Sequence, residues 1–373
     1  MIPLLLTWLL IEIGLIVLDP VFFKGFWQYD PDIGFRVWPG FQHSNKFGFN
    51  DIDRTPEKAP GTYRIMFLGD SYNWCGTIPP DPPRSPKDMN YTAILQRMFD
   101  KAYGTNKVEI VNAGYPATHT AEELTILKKY GLQEKPDLLV LGFFAGNDLF
   151  DGDPYRKRII VNQLYLDIDR RHEMRFMGYP IIPQSRLWML LKQEYQAWKS
   201  VDHAEKTGSF SQQTYDAMVT AYLTYFDKKK LAHGDLDPNI HYIFGALDDM
   251  CDLMKQDNID FKVAIYPCDE QIDPKVFQSA VKAFKLNPDD YDMAQVQRLV
   301  ADACNKKGIP YLDMLSDFKA AGQKETLYVL RNTHWNDAGN TLAAQSMYRW
   351  LQPTVDNYFK THPAEGSPVP PPK

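Results

Sequence analysis

Residues 64–71 read Arg64-Ile-Met-Phe-Leu-Gly-Asp-Ser71, and this stretch decides the fold. A short apolar run of this kind, ended by Gly69-Asp70, is typical of a buried central strand in a parallel sheet. A serine at the end of such a strand, beside a helix N-terminus, lies close to free backbone N–H groups. Ser71 is therefore a candidate nucleophile, although Gly-Asp-Ser also occurs in ordinary turns and helix caps.

Four further apolar runs follow this one, and segments with helical spacing separate them. The predicted strands are residues 64–68, 108–112, 137–144, 261–266 and 310–313. The predicted helices are residues 91–103, 121–130, 240–256, 292–307 and 338–351. This alternation predicts βαβ units, and hence an α/β fold with a parallel sheet of about five strands covered by helices on both faces. A site is expected at the carboxyl ends of the strands.

Three polar motifs lie at the edges of these predicted elements. Asn112-Ala-Gly114 ends the second strand, Gly146-Asn147-Asp148 ends the third, and Asn332-Thr-His334-Trp-Asn-Asp-Ala-Gly339 precedes the last helix. Each also fits an ordinary structural role as a turn, a helix cap or a surface histidine. Their order along the chain, each beside a regular element, favours one common site. The acidic residues Asp148, Asp151 and Asp153 are predicted to form a solvated loop next to it.

The ordered motifs resemble the four blocks of the SGNH/GDSL hydrolases over residues 64–351, apart from an insertion. The upstream Asn45-Lys-Phe-Gly-Phe-Asn-Asp51 also resembles the N-x-x-G-F-R-D element of membrane-anchored or exported members, with Asn50 where arginine is common. The resemblance implies a flavodoxin-like three-layer α/β/α fold. It further implies ester hydrolysis or, in a branch acting on cell-surface polysaccharides, acetyl transfer.

Carried over residue by residue, the resemblance makes Ser71 the nucleophile and His334 the general base. The oxyanion hole would combine the N–H of Ser71, the N–H of Gly114 and the side-chain amide of Asn147, because several donors must meet the charge that develops on a carbonyl oxygen. Asn332 is the third catalytic candidate and departs from the pattern, since an aspartate commonly stands two or three residues before the histidine. An amide oxygen can accept the imidazole N–H, but it cannot balance an imidazolium charge.

Three functions stay open at this point. The first is a serine esterase acting on an acyl or acetyl ester, with carbohydrate esters among the expected substrates. The second is an O-acetyltransferase that passes the acyl group to a cell-surface glycan. The third is a catalytically impaired, glycan-binding domain, because of Asn332.

Cofactors, metals and nucleic acid are not expected as partners. The sequence has no nucleotide-binding glycine loop and no histidine or cysteine spacing typical of a metal site. A net charge of −6 without a basic run is unlike a nucleic-acid-binding protein. The four cysteines, Cys75, Cys251, Cys268 and Cys304, are widely spaced, and buried thiols are favoured over disulfides.

The chain of 373 residues divides into several segments. Residues 1–23 are predicted to be a membrane anchor or signal-anchor helix, since residues 2–18 are almost wholly apolar and no cleavage site follows. Glu12 is costly in hydrocarbon and supports the alternative of a buried helix. Residues 24–60 are predicted as an irregular extension, and 61–360 as the hydrolase domain. A helical insertion at about 151–239 forms either a substrate wall or a buttress, and 361–373 form a Pro-rich tail. Together with the family resemblance, the apolar N-terminal helix predicts a membrane-anchored protein with an extracytoplasmic catalytic domain, periplasmic or on the cell surface.

Overall fold

The computed structural model describes residues 2–19, 25–41, 44–74, 90–176, 178–200, 210–230 and 237–363, without the side chains of residues 196–200. Cys75 and the tail from residue 364 lie outside these ranges. The strands in chain order are β1 (Trp27–Gln28), β2 (Arg36–Val37), β3 (Tyr63–Gly69), β4 (Val108–Gly114), β5 (Leu138–Phe144), β6 (Arg156–Val161), β7 (Leu164–Asp169), β8 (Met174–Phe176), β9 (Tyr179–Ile181), β10 (Asp260–Tyr266) and β11 (Tyr311–Asp313).

The α-helices are numbered in the same way. They are α1 (Ile2–Val17), α2 (Ser71–Trp74), α3 (Tyr91–Tyr103), α4 (Thr120–Lys129), α5 (Asp148–Asp151), α6 (Arg186–Ser200), α7 (Gln212–Tyr222), α8 (Pro238–Gln256), α9 (Asp269–Ile272), α10 (Pro274–Phe284), α11 (Gln295–Lys307), α12 (Leu315–Gly322) and α13 (Asp337–Thr361). The predicted helix 338–351 runs ten residues further than expected, through Pro353. Burial of Leu351 and Val355 along the same helix accounts for this, because their packing offsets the lost backbone hydrogen bond.

The central sheet is parallel, with the strand order β11-β10-β5-β3-β4. This is the flavodoxin-like order, and it confirms the predicted α/β fold and all five predicted strands. Every residue of β3 and β5 is buried, as expected for strands covered on both faces. Since β3 pairs with β4 on one side and β5 on the other, the order of the strands reverses at the carboxyl end of β3. Ser71 follows that end directly.

The insertion contains more than the predicted helices. Besides α6 and α7 it holds two antiparallel hairpins, β6–β7 and β8–β9. The β6–β7 turn consists of Asn162 and Gln163, both with positive φ, which matches the right-handed twist of the flanking strands. Ile160 in β6 donates its backbone N–H to Gly34 O at 3.2 Å, so this hairpin packs against the N-terminal extension.

The first helix, α1, has 16 residues and contacts α6. The carboxylate of Glu12 accepts the backbone N–H groups of Arg186 (2.9 Å) and Leu187 (3.2 Å), which satisfies two free donors at the start of α6. Within the described ranges, none of the helices combines the length and the apolar character that crossing a membrane requires. Membrane attachment, its orientation and the extracytoplasmic location stay predictions.

Three cysteines lie in described parts of the chain, and all three are buried free thiols: Cys251, Cys268 and Cys304. For these residues the preference for thiols over disulfides is confirmed. Each of these thiols packs within the apolar core, where a cysteine behaves as a small apolar side chain.

Glu270 in α9 is a buried carboxyl without a counter-charge. Its side chain is almost fully buried, and the polar neighbours of its carboxylate are its own backbone N–H and the Cys268 thiol. Burial, with a smaller contribution from neighbouring Asp269, raises the pKa of Glu270 from 4.5 to about 8. The folded protein therefore holds this proton at a pH where the unfolded chain has released it.

We expect Glu270→Gln to become progressively more stable than the wild type as the pH rises from about 4.5 to about 8. A raised carboxyl pKa means that folding takes up a proton in this window, so wild-type stability falls with pH, by up to about 1.4 kcal/mol per pH unit. Urea unfolding of both proteins at several pH values measures the difference. The exposed Glu325→Gln is the control and should follow the wild type. Parallel curves for wild type and Glu270→Gln would contradict the prediction.

Candidate active site

Ser71 stands at the turn from β3 into α2. The carboxylate of Asp70 accepts the backbone N–H of Tyr72 at 2.9 Å, and Asp70 O accepts the N–H of Trp74 at 3.0 Å, so a helical turn begins as soon as the strand ends. This places the Ser71 hydroxyl at the carboxyl edge of the sheet. It also places the free N–H of Ser71 at a helix N-terminus.

His334 lies on the loop that leads into α13. Trp335 anchors this loop, since it is buried with its ring centroid 5.0 Å from that of Tyr266 and 5.1 Å from that of Phe318. The hydroxyl of Tyr72 donates to Thr333 O, and the Tyr72 ring lies 5.3 Å from the imidazole. Tyr72, the residue after Ser71, therefore helps to hold the histidine in place.

Ser71, His334 and Asn332 form one chain of hydrogen-bonded side chains. The imidazole Nε2 lies 2.8 Å from Ser71 Oγ, and Nδ1 lies 2.7 Å from Asn332 Oδ1. The backbone N–H of His334 donates to the same Oδ1 at 3.2 Å, and a backbone N–H can only donate, so the amide presents its oxygen to the ring. Nδ1 must then carry the proton, which leaves Nε2 free to accept from the serine hydroxyl. Asn332 thus supports the productive tautomer.

The charge state of the imidazole follows from its surroundings. Burial lowers the pKa of His334 from 6.5 to about 4. A carboxylate partner would oppose this shift, but the ring meets an amide instead. His334 is neutral at physiological pH, as a general base must be before the reaction.

The structure brings Asn147 into the same cavity. It directly precedes α5, and its Nδ2 donates to Asp151 Oδ2 at 3.0 Å. Asp151 in turn lies 3.2 Å from Arg156. The prediction of a solvated acidic loop is wrong for Asp148, which is fully buried, while Asp151 is partly exposed and lines the cavity.

The structure does not bring Gly114 to the cavity. Its N–H donates to Asn112 Oδ1 at 3.0 Å, and a Cβ at this position would come within 2.4 Å of Trp74 N. Glycine is therefore required here for the close approach of α2 to β4, which is a structural role. The cavity is lined instead by Ala117, three residues on, whose φ of 63° lies in the left-handed region that favours glycine. Among the described residues the N–H of Ala117 has no hydrogen-bond acceptor.

The cavity over Ser71 has a volume of about 670 Å³. Its walls are largely aromatic, and these aromatic side chains come from four separate segments. The N-terminal extension contributes Phe26 and Trp27, α2 contributes Tyr72 and Trp74, β5 contributes Phe144, and the insertion contributes Tyr165, Phe210 and Tyr222. Arg158 and Asp151 add charged groups to this lining. The insertion therefore forms a wall of the cavity, and the extension, predicted only as irregular structure, forms another.

Three buried carboxyl groups lie in the neighbourhood of Ser71: those of Asp70, Glu123 and Asp148. Burial raises the pKa of each above its usual range. Repulsion from Asp151 adds to the pKa shift of Asp70, and repulsion from Asp70 adds to the pKa shifts of Glu123 and Asp148. The raised pKa values limit the negative charge near Ser71. In the described part of the chain, no group of three or more His, Cys, Asp or Glu side chains could hold a metal ion.

Comparison with known proteins gives one family match. Residues 225–367, which include Asn332 and His334, match the family described as "SGNH hydrolase-like domain, acetyltransferase AlgX". No curated protein matches the chain significantly in sequence.

Similar solved structures include three hydrolases. The acetyl xylan esterase AlAXEase is 14% identical, with a TM-score of 0.42 over 77% of this chain and 99% of its own. The acetylxylan esterase Axe2 from Geobacillus stearothermophilus is 12% identical, with a TM-score of 0.43 over 79% of this chain and 95% of its own. LAE5, an α/β hydrolase from the metagenome of Lake Arreo, Spain, is 10% identical, with a TM-score of 0.40 over 79% of this chain and 97% of its own. Residues 225–367 therefore resemble an SGNH hydrolase-like domain, in agreement with the resemblance of the sequence motifs, and the central sheet has the flavodoxin-like strand order that this resemblance implies.

Proposed function

We propose that this protein is a serine esterase that cleaves an acyl or acetyl ester of a carbohydrate. The observation that carries the proposal is the hydrogen-bonded chain from Ser71 Oγ through the His334 imidazole to Asn332 Oδ1, with distances of 2.8 and 2.7 Å, beside a cavity of about 670 Å³. A nucleophile, a base and a group that orients the base are the three parts that such a reaction needs.

The reaction proceeds in two steps. In the first, His334 Nε2 takes the proton of Ser71 Oγ while this oxygen attacks the ester carbonyl, and the imidazolium then gives the proton to the leaving alcohol. In the second, His334 takes a proton from water, whose oxygen attacks the acyl-serine, and returns that proton to Ser71 Oγ as the acid departs. Asn332 keeps the ring in the required tautomer throughout both steps.

The oxyanion is met by N–H donors from three places in the chain. We assign the backbone N–H of Ser71, the Nδ2 of Asn147 and, in place of Gly114, the backbone N–H of Ala117. The left-handed backbone at Ala117, its place in the cavity wall and its unpaired N–H among the described residues support this change. One such donor contributes roughly 2.7–4 kcal/mol in other enzymes.

The lining of the cavity supports a carbohydrate substrate. The ring of Trp27 lies 5.2 Å from that of Tyr165, and the ring of Phe26 lies 5.4 Å from that of Trp74, so the wall offers several flat apolar faces. Charged groups of Asp151 and Arg158 interrupt them. A mostly aromatic wall with a few polar groups suits a ring that carries both C–H and hydroxyl groups.

Acyl transfer to a glycan is the second candidate, and the family match favours it, because that family is described as an acetyltransferase. The two functions share every step up to the acyl-serine and differ only in whether water or a glycan hydroxyl attacks it. A glycan-binding role without catalysis remains the third alternative, motivated by Asn332.

The test is acetate release from an acetylated oligosaccharide, with and without an unacetylated acceptor glycan, for the wild type and His334→Ala. We expect acetate release by the wild type and its loss in the variant. If the acceptor glycan becomes acetylated and little acetate is released, the function is acyl transfer rather than hydrolysis. A wild type that neither releases acetate nor reacts with a fluorophosphonate at Ser71 would refute both catalytic functions.

A further inference from the structure

The side chain of Asn147 is held by one residue, Asp151, one helical turn later. Asn147 Nδ2 donates to Asp151 Oδ2 at 3.0 Å, and both residues line the cavity beside Ser71. The amide oxygen of Asn147 is buried and has no hydrogen-bond partner among the described residues. The orientation of the amide therefore depends on its nitrogen end.

A carboxylate is well suited to this task. The two ends of an amide have nearly the same shape, and an ionised carboxylate accepts hydrogen bonds but cannot donate them. Asp151 thus attracts Nδ2 and repels Oδ1, which fixes the amide against a flip. The second N–H of Nδ2 is left over for a ligand.

A negative charge this close to an oxyanion would oppose the reaction unless it were balanced. Two arginines of β6 supply the balance: Arg156 lies 3.2 Å and Arg158 3.9 Å from Asp151 Oδ1. Asp151 therefore uses one oxygen to hold the amide and presents the other to the two guanidinium groups. Arg158 also faces Asp167 at 3.6 Å on the neighbouring strand β7.

We propose that Asp151 is a positioning residue, which holds the amide of Asn147 with one N–H facing the cavity, where it meets the carbonyl oxygen of the ester. Asp151 does not touch the reacting atoms itself. This inference rests on the proposed function, since it concerns the oxyanion hole of that reaction.

Steady-state kinetics of Asp151→Asn, Asn147→Ala and the double variant test the proposal. Asp151→Asn should lower kcat about 10-fold with KM within about twofold, because a neutral partner permits the flipped amide and the loss is confined to the transition state. In the Asn147→Ala background the same substitution should change kcat less than about twofold, since the amide it acts through is gone. Equal losses in both backgrounds would overturn the proposal.

Asp167→Asn is the matched control. It removes a carboxylate from Arg158, as Asp151→Asn does, but leaves the contact with Asn147 intact. We expect kcat of this variant to stay within about twofold of the wild type. A loss equal to that of Asp151→Asn would mean that the charge of Arg158, rather than the orientation of the amide, is what matters.

A second readout does not need catalysis. The ¹⁵N-labelled side-chain amide of Asn147, assigned by its disappearance in Asn147→Ala, should shift and exchange faster with solvent in Asp151→Asn but not in Asp167→Asn. An unchanged amide signal in Asp151→Asn would overturn the proposal. If the wild type shows no esterase or transferase activity but the amide responds as expected, the proposed function fails while Asp151 still positions Asn147.

Discussion

Substitution of Ser71 by alanine is expected to reduce ester hydrolysis by on the order of 10³-fold or more, since loss of the nucleophile in other serine hydrolases costs even more than this. The hydroxyl lies 2.8 Å from the base His334, and the variant removes the atom that forms the bond to the acyl group. The measurement is kcat on p-nitrophenyl acetate. His334→Ala should lose a similar factor, and the double variant should lose little more, because the two residues act as one unit.

Ser316→Ala is the control for this experiment. Ser316 is an exposed serine of α12, and alanine is favourable in a helix. The control should keep full activity and an unchanged melting temperature. Full activity in Ser71→Ala would show that another residue is the nucleophile.

Substitution of Asn332 by aspartate is expected to raise kcat about 5- to 30-fold at neutral pH. In a serine protease triad, the reverse change from Asp to Asn costs about 10⁴ in turnover, chiefly through the wrong histidine tautomer. Here the amide already supports the productive tautomer, because the backbone N–H of His334 fixes its oxygen toward the ring. The remaining gain is the stabilisation of the imidazolium. A hydrogen bond to a charged group exceeds a neutral one by roughly 1–2 kcal/mol, and 1.4 kcal/mol is a factor of ten.

The pH profile of kcat/KM distinguishes stabilisation of the imidazolium by the new carboxylate from a general increase in activity. In the wild type the pKa of His334 is lowered to about 4 by burial, so kcat/KM should fall only near that pH. A carboxylate at position 332 stabilises the charged ring and raises its pKa, so the acid limb should move to higher pH while the plateau rises. A higher plateau with an unmoved acid limb would contradict the assigned role of Asn332.

Asn336→Asp makes the same change of charge two residues after the histidine. It caps α13 by accepting the N–H of Gly339, a role that aspartate fills equally well. Although this variant loses the hydrogen bonds from the amide to Thr326 O and Tyr328 O, its side chain has no contact with the imidazole and should not shift the acid limb.

Much of the site could be predicted because Ser71 and Asn147 closely follow strand ends and His334 lies just before the last helix. Ser71, Asn147 and His334 are marked in the sequence by short motifs beside regular elements, and parallel strands place their carboxyl ends at one edge. Gly114 is marked by the same kind of motif, but a glycine is required there because α2 approaches β4 closely. A Cβ at this position would come within 2.5 Å of Asn73 C and also close to Trp74 N. Ala117 gives no such signal, because a left-handed backbone at alanine cannot be read from the residue type.

The residues that form the cavity walls could not be predicted from the sequence, for a different reason. Phe26 and Trp27 lie more than forty residues before Ser71, and Tyr165 lies on a hairpin of the insertion, yet all three face one cavity. Their positions depend on how the extension packs against the hairpin, which involves contacts such as the bond from Ile160 N to Gly34 O. Nothing in the local sequence specifies such long-range packing.

The order of short apolar runs and helical segments was sufficient to predict the five-stranded parallel sheet. Strands that are buried on both faces appear in the sequence as continuous apolar runs. The tertiary structure alone decided which tautomer of His334 its hydrogen bonds favour, the partner of Asn147, and the presence of Ala117 rather than Gly114 in the cavity lining. The first two depend on which side-chain atoms meet at about 3 Å, and the third depends on a backbone angle; periodicity carries no information on either.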